Sequence, residues 1–197
     1  MRRRRSRRIL IIDAHPHRNP RHLVHGLARA YEAGARDKGH EVRRVALSEI
    51  DIPFLASRQD WEEEPPPPAL KASQDALRWA DHVAIFFPLW LGDMPALLKA
   101  FLEQVLRPGF AFEYREGRTS AKALKGRSAR IIVTMGMPGL FYRLYFGAHA
   151  VRLLRRNILH FVGIRPVRAT IIGGVEAKRS RNADHLRHLV KLGERAA

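Results

Sequence analysis

Hydrophobic residues in this chain gather into short blocks separated by polar and helix-breaking segments, and the period of the pattern changes from block to block. Ile9 to Ile12 before Asp13, and Val83 to Phe87 before Pro88, are continuous apolar runs too short for a helix, as expected of strands buried on both faces. Ala129 to Thr134 and Val167 to Ile172 also read as strands, and Glu41 to Leu47 alternates with a period of two. Between the strands the period lengthens. The segment from about His22 to Lys38 puts Leu23, Leu27, Ala30 and Tyr31 on one helical face and stops at Gly39. Further helices are expected from about Ala69 to Trp79, from Pro95 with Leu97, Leu98, Phe101, Leu102 and Val105 toward the core, up to Phe161, and from about Asn182 to Arg195. Five strands, each followed by a helix, predict an α/β doubly wound parallel sheet. Three long connections are left over and are expected to be irregular: 48 to 68, with four consecutive prolines at 65 to 68; 107 to 128; and 135 to about 150.

Composition narrows the class. A chain of 197 residues that is 46% hydrophobic is long enough for one domain with a sizeable core, and no repeat or second domain is visible. The expected organisation is a basic tail over residues 1–7 followed by a single domain over 8–197. There is no cysteine, which excludes disulfides, thiolate catalysis and cysteine-based metal sites. The ten histidines show no ligand spacing along the sequence, so no metal is expected. No apolar run approaches the roughly 20 residues that span a bilayer, and the run after the N-terminal arginines is too short for a signal peptide. A cytoplasmic protein is the expectation.

A net charge of +17 adds a question about partners, because such a surface attracts nucleic acid, anionic lipid and phosphorylated ligands alike. Six arginines lie within the first eight residues, and no aromatic residue interleaves them as a base-stacking platform. Solvated arginines are one reading. Docking on an anionic membrane surface is another, ranked above nucleic acid, which makes a nucleic-acid partner unlikely.

The most informative segment is FPLWLGDMPALLKAF, in which the loop from Pro88 to Met94 leaves the carboxyl end of a buried strand, where open α/β sheets bind ligands. Together with Pro108 to Phe112, His15-Pro16 after the first strand, Thr134-Met135-Gly136-Met137, Tyr142, Gly147-Ala148-His149 and Asn157 to Gly163, it resembles the flavodoxin-like NAD(P)H:quinone oxidoreductases of the DT-diaphorase type. These matches cover about residues 8 to 175 in the family's order. The resemblance implies a flavodoxin-like five-stranded sheet of order 2-1-3-4-5 and a flavin cofactor, FAD or FMN. It also implies NAD(P)H as hydride donor, a quinone or similar aromatic acceptor, ping-pong two-electron transfer and a homodimer that completes the site.

Carried over residue by residue, the resemblance places flavin phosphate at His15, with Asn19, Arg21 and His22 beside it at the start of the first helix. The family's usual serine is missing there. Pro88, Leu89, Trp90 and Leu91 correspond to the wall beside the isoalloxazine ring, where backbone N–H groups reach the ring's N5 and O4 edge. Thr134, Met135, Gly136 and Met137 correspond to the contacts on its pyrimidine edge, with Met135 and Met137 in place of the commoner threonine and glycine. Tyr142 and His149 correspond to the catalytic hydrogen-bond donors, and Lys99 matches a family lysine on the following helix. The chain lacks the C-terminal extension of larger members, which leaves FAD against FMN open. Three other readings stand beside this one: an azo- or nitroreductase, a regulatory subunit of a potassium-efflux system, and a basic binding module that has lost its flavin.

Overall fold

In the computed structural model, which describes residues 6–115, 118–177 and 181–197, the elements alternate as the pattern predicts. The first half runs β1 (Arg8–Asp13), α1 (Leu23–Asp37), β2 (Glu41–Ala46), α2 (Arg58–Glu62), α3 (Pro68–Trp79), β3 (His82–Pro88) and α4 (Ala96–Val105). The second half runs β4 (Phe112–Arg115), β5 (Arg118–Lys122), β6 (Ser128–Thr134), α5 (Gly139–Leu144), α6 (His149–Leu153), β7 (Val167–Ile172) and α7 (Asn182–Glu194), with α6 passing into a π-helical turn over Leu154–Leu159. The sheet is all-parallel with order β2-β1-β3-β6-β7. Counting only its own strands, that is the expected 2-1-3-4-5. Residues 1–5 of the basic tail lie outside the described residues. Arg7 does not hang free, since its carbonyl accepts from the Glu41 N–H at 3.0 Å and its guanidinium donates to the Ala196 carbonyl at 3.2 Å.

Alternation along each strand divides the core between the two faces of the sheet. Leu10, Ile12, Val83, Ile85, Phe87, Ile131 and Val133 pack with Leu70, Leu77, Leu98 and Phe101 from α3 and α4. Ile9, Ile11, Ala84, Phe86 and Ile132 face Leu27, Tyr31, Leu189 and Leu192 from α1 and α7. Proline marks the helix starts that the sequence made plain, with Pro68 inside the first turn of α3 and Pro95 capping α4.

The three connections expected to be irregular each contain an element. Within 107 to 128, β4 and β5 pair antiparallel, and these strands of four and five residues are charged in sequence, so no apolar alternation announces them. Within 48 to 68, α2 is started by Ser57, whose Oγ accepts from the Asp60 N–H at 3.1 Å. Within 135 to 150, α5 is a six-residue helix with one buried side chain, Tyr142. Short helices with little core contact leave a weak period in the sequence.

Helices α1 and α7 approach so closely that two glycines are obligatory. A Cβ on Gly34 would lie 2.1 Å from the Val190 carbonyl oxygen, and one on Gly193 would lie 2.0 Å from that of Tyr31. Gly26, earlier in α1, meets only the Leu186 and Arg29 side chains at 3.6 Å and beyond. Gly34→Ala is therefore expected to lower unfolding stability by roughly 1–3 kcal/mol through forced helix displacement, outweighing the gain of up to about 1 kcal/mol in helix propensity. Gly26→Ala is expected to be neutral or stabilising, and equal urea midpoints for the two variants would contradict the close approach.

Candidate active site

Register brings the carboxyl ends of the strands to one edge. Asp13 ends β1 opposite Phe86, Pro88 ends β3 opposite Thr134, and Thr134 ends β6 opposite Ile172. Strand order reverses between β1 and β3, and ligands of doubly wound sheets bind in the crevice at that point.

The segment between β1 and α1 is a fixed structure. Asp13 is fully buried, and its carboxylate faces His25 Nδ1 at 2.7 Å and accepts from the Arg44 guanidinium. His25 Nε2 faces the His17 carbonyl at 2.9 Å, and the His17 N–H donates to His15 Nδ1 at 3.1 Å. His15 is buried and stacks on His22 with ring centroids 4.0 Å apart, while the Trp90 ring lies edge-on to it at 5.9 Å. Burial, reinforced by the neighbouring His22 and His25, pulls the His15 pKa down to about 4. Helix α1 has no side-chain cap and no acid in its first turn. Its free amide groups and positive dipole, flanked by His15 and His22, fit an anion such as a phosphate group. Asn19 and Arg21 are not gathered there: both are exposed, and the Asn19 side chain accepts from the Arg21 main-chain N–H at 3.0 Å within its own turn.

Beyond β3 the chain makes a two-residue reversal. Trp90 and Asp93 exchange backbone hydrogen bonds at 2.9 and 3.0 Å around Leu91 (φ 48°) and Gly92 (φ 81°). The Trp90 N–H is thus occupied by Asp93, and the Leu89 N–H by the Thr134 carbonyl at 2.8 Å. Those two amides are already used, whereas the N–H groups of Leu91 and Gly92 make no hydrogen bond among the described residues. Leu91 is a γ-branched residue in the left-handed region with its side chain fully exposed, a strained position of the kind that clusters at functional loops.

Across the crevice, Thr134 is buried and the Met135 N–H is spent on the Ile172 carbonyl at 2.9 Å. The N–H groups of Gly136 and Met137 have no partner among the described residues. A Cβ on Gly136 would come within 3.2 Å of the Glu176 carboxylate, so glycine keeps the backbone open there. Tyr142 is buried, with its hydroxyl near the Ala150 and Val151 N–H groups at the start of α6 but forming no hydrogen bond. Burial raises its pKa, and Asp93 from the Trp90 turn acts in the same direction, which places the two loops side by side. His149 is exposed as the first residue of α6, and Lys99 is tied to Glu103 on its own helix.

Sequence reasoning missed the network of Asp13, His25 and Arg44 and the approach of Glu176 to Gly136. The spacing of His22 and His25, three residues apart at a helix start, was a usable signal for the first; Glu176 left none. Four histidines without ligand spacing in sequence, at 15, 17, 22 and 25, gather in space. Among the described residues they form no group of three metal-ligating side chains.

A doubly wound sheet with a glycine-bearing crevice of free amides at its switch point defines a class of α/β proteins that bind ligands at that edge. The chain belongs to the flavodoxin-like fold family, whose profile matches residues 7–195. It is 31% identical over 155 residues to a ribosyldihydronicotinamide dehydrogenase-like protein of Penicillium crustosum, an alignment covering 66% of this chain and 57% of that protein. To NAD(P)H dehydrogenase (quinone) 1 of Rattus norvegicus it is 27% identical over 191 residues, covering 84% of this chain and 68% of the relative. The solved NAD(P)H:quinone oxidoreductase of Methanothermobacter marburgensis superposes with a TM-score of 0.81 at 23% identity, covering 96% of each chain.

The low pKa of His15 has a consequence for stability. Unfolding restores the ordinary value of 6.5, above the folded value of about 4, so the unfolded chain takes up the proton first. Stability is therefore full above pH 6.5 and is lost as pH falls toward 4. His15→Asn is expected to flatten that loss in urea unfolding measured across this window. A slope identical to that of the unsubstituted protein would show that His15 does not titrate there.

Proposed function

We propose that this chain is a flavin-dependent NAD(P)H:quinone oxidoreductase. The observation that carries the reading is one crevice that joins three features: the uncapped start of α1 with His15 and His22, the Trp90 turn, and the free amides of Gly136 and Met137. Phosphate, ring edge and pyrimidine edge of a flavin need those three kinds of group. Sequence relatives from Beijerinckia indica and Rattus norvegicus carry names of quinone oxidoreductases, which supports the activity.

A flavin held there would supply two-electron hydride chemistry between NAD(P)H and the second substrate. The protein's part is binding and electrostatics. His15, His22 and the α1 N-terminus would hold the phosphate, and the Gly136, Met137, Leu91 and Gly92 amides would supply donors where negative charge develops. Trp90 walls the slot. His149 stands at the rim as a donor, and Tyr142 reaches the charged edge only if its hydroxyl turns from α6. FAD and FMN both satisfy this donor set. An azo compound would use the same slot and the same two-electron chemistry, and an azoreductase of Bacillus anthracis shares the fold at a TM-score of 0.75.

We further propose a homodimer. Leu140, Phe141, Leu144, Tyr145 and Phe146 form an exposed cluster on and after α5, with Phe141 and Tyr145 stacked at 5.0 Å. A contiguous apolar patch beside a site that must exclude water is suited to a second subunit. No described helix is long and apolar enough to cross a membrane. A cytoplasmic location with peripheral attachment through the N-terminal arginines is the corresponding proposal.

Two outcomes test these readings. Purified or reconstituted protein is expected to show a flavin spectrum that NADH or NADPH bleaches anaerobically, with His149→Ala and Tyr142→Phe slowing bleaching by roughly 10²-fold at unchanged flavin content. Failure to bind either flavin at micromolar concentration overturns the enzyme reading, and unchanged stopped-flow rates in both variants remove these residues from catalysis. Separately, deleting residues 1–5 is expected to spare turnover of a water-soluble quinone. It should weaken binding to anionic vesicles at low salt, each basic residue near the surface contributing about 1 kcal/mol. Equal vesicle binding by the truncated and full chains would show that the tail has no membrane role.

A further inference from the structure

The edge of the sheet opposite the flavin crevice, about 20 Å away along a strand of seven residues, also carries a cavity. It has a volume of about 530 Å³ and is lined by Arg7, His40, His82, Ser128, Arg168 and Arg195, together with Ala196 and the C-terminal residue Ala197. His82 and Ser128 are the first residues of β3 and β6 and are register partners, while Arg168 is the second residue of β7. No acidic side chain lines it, and among the described residues the terminal carboxylate of Ala197 is the one anionic group set against Arg7, Arg168 and Arg195. Asp81, on the adjoining cavity, is held by Arg8 at 2.8 Å.

Part of this charge has a structural use. Arg7 donates to the Ala196 carbonyl and the His40 ring faces the Glu194 carbonyl at 3.3 Å, so both fasten the end of α7. The position of Arg195 just past α7 also suits the helix dipole. The remaining charge has no such use. Arg130 and Arg168 are direct cross-strand partners on β6 and β7, a like-charge pairing that destabilises a sheet unless an anion compensates it. Arg130 is buried, donating one bond to Thr170 Oγ1 at 2.8 Å and leaving its Nε without a partner. Neither Arg168 nor Arg195 forms an ion pair among the described residues. His82 is 2% exposed; its Nδ1 lies 2.7 Å from Ser128 Oγ, and its Nε2 has no partner.

We propose that this amino-edge cavity is a second binding site, selective for a phosphate monoester group, with Arg168 and Arg195 as its charged clamp and His82 Nε2 as its buried donor. Guanidinium groups match the paired oxygens of phosphate, and the volume leaves room for a small organic body beyond it. Burial and the surrounding arginines pull the His82 pKa down to about 3, so the ring is neutral at pH 7. A neutral ring that accepts from the Ser128 hydroxyl at Nδ1 carries its proton on Nε2, ready to donate. The site is independent of the flavin reading, because it shares no residue with the crevice.

The test is titration of the full-length protein with inorganic phosphate at constant ionic strength, followed by calorimetry and by the ¹⁵N resonances of labelled histidine. Saturable binding that shifts His82 Nε2 is expected. The exposed-residue double variant Arg168→Gln/Arg195→Gln should weaken the phosphate dependence of the His82 shift about tenfold or more, and His22→Ala, which alters only the separate phosphate contact at α1, should leave that shift unchanged. Glycerol 3-phosphate and vesicles containing phosphatidate then separate a soluble ligand from a lipid headgroup, each identified by loss in the double variant. Binding that is unaffected by the double variant, that is abolished by His22→Ala without moving His82, or that is absent up to about 10 mM phosphate would overturn the proposal.

Discussion

The buried carboxylate of Asp13 is the constraint on which the carboxyl edge depends. A fully desolvated charge is tolerated only when it is paired and hydrogen-bonded, and removing a partner from such a pair costs about 3–5 kcal/mol. Here the partners come from separate elements, His25 from the first turn of α1 and Arg44 from β2. Arg44 continues the network to Glu32 at 3.8 Å, and Glu32 in turn pairs with Arg36. One charge thereby fixes the strand end, the helix start and the neighbouring strand together. Its influence then passes along the loop, because His25 holds the His17 carbonyl and the His17 N–H holds His15 Nδ1. With that nitrogen occupied, His15 can present only Nε2 to a ligand. The orientation of His15 is thus set by the Asp13 carboxylate through His25 and His17.

A doubly wound sheet has chemically unlike ends. At the carboxyl edge the helices that follow the strands begin, so free N–H groups and positive dipole ends converge there. At the amino edge the helices finish, and their carbonyl groups call for basic residues. Arg7 and His40 answer that need by bonding α7 carbonyls, whereas the Arg195 side chain makes no such bond among the described residues and His82, Arg130 and Arg168 lie on the pleat rather than at a helix end. That excess distinguishes a packing role for these cations from a binding role, and it turns a general surplus of arginine into a located one.

The fold was legible wherever a segment was buried on both faces or opened by proline. β1 and β3 read directly from Ile9–Ile12 and Val83–Phe87, and α4 read from Pro95. The hairpin β4–β5 was not legible, because Glu113, Arg115 and Arg118 break any alternation and the pairing itself supplies the structure. The site was legible in its parts: His15, His22 and Trp90 were named from the sequence and meet in space. What could not be read was how the backbone spends its donors. The Trp90 turn needs a left-handed residue before Gly92, and nothing in the identity of Leu91 announces that conformation. Hence the occupied Trp90 amide came as a structural finding, as did the use of the Asn19 side chain within its own loop.

The strain at Leu91 bears on how the crevice is closed. A leucine held in the left-handed region with its side chain entirely in water has neither a good backbone conformation nor buried surface to offset it. Leu144 and Tyr145 have ordinary helical backbone and share only the exposure, each about three-quarters exposed. These residues lie on the Trp90 turn and on α5, two segments that Asp93 and Tyr142 bring side by side. Hydride transfer needs a dry slot, since water weakens every donor aimed at developing charge. In the proposed enzyme the exposed apolar residues of both segments therefore meet one requirement: covering Leu91 and the α5 aromatics with a second copy of the chain would offset the turn's strain and exclude solvent from the crevice together.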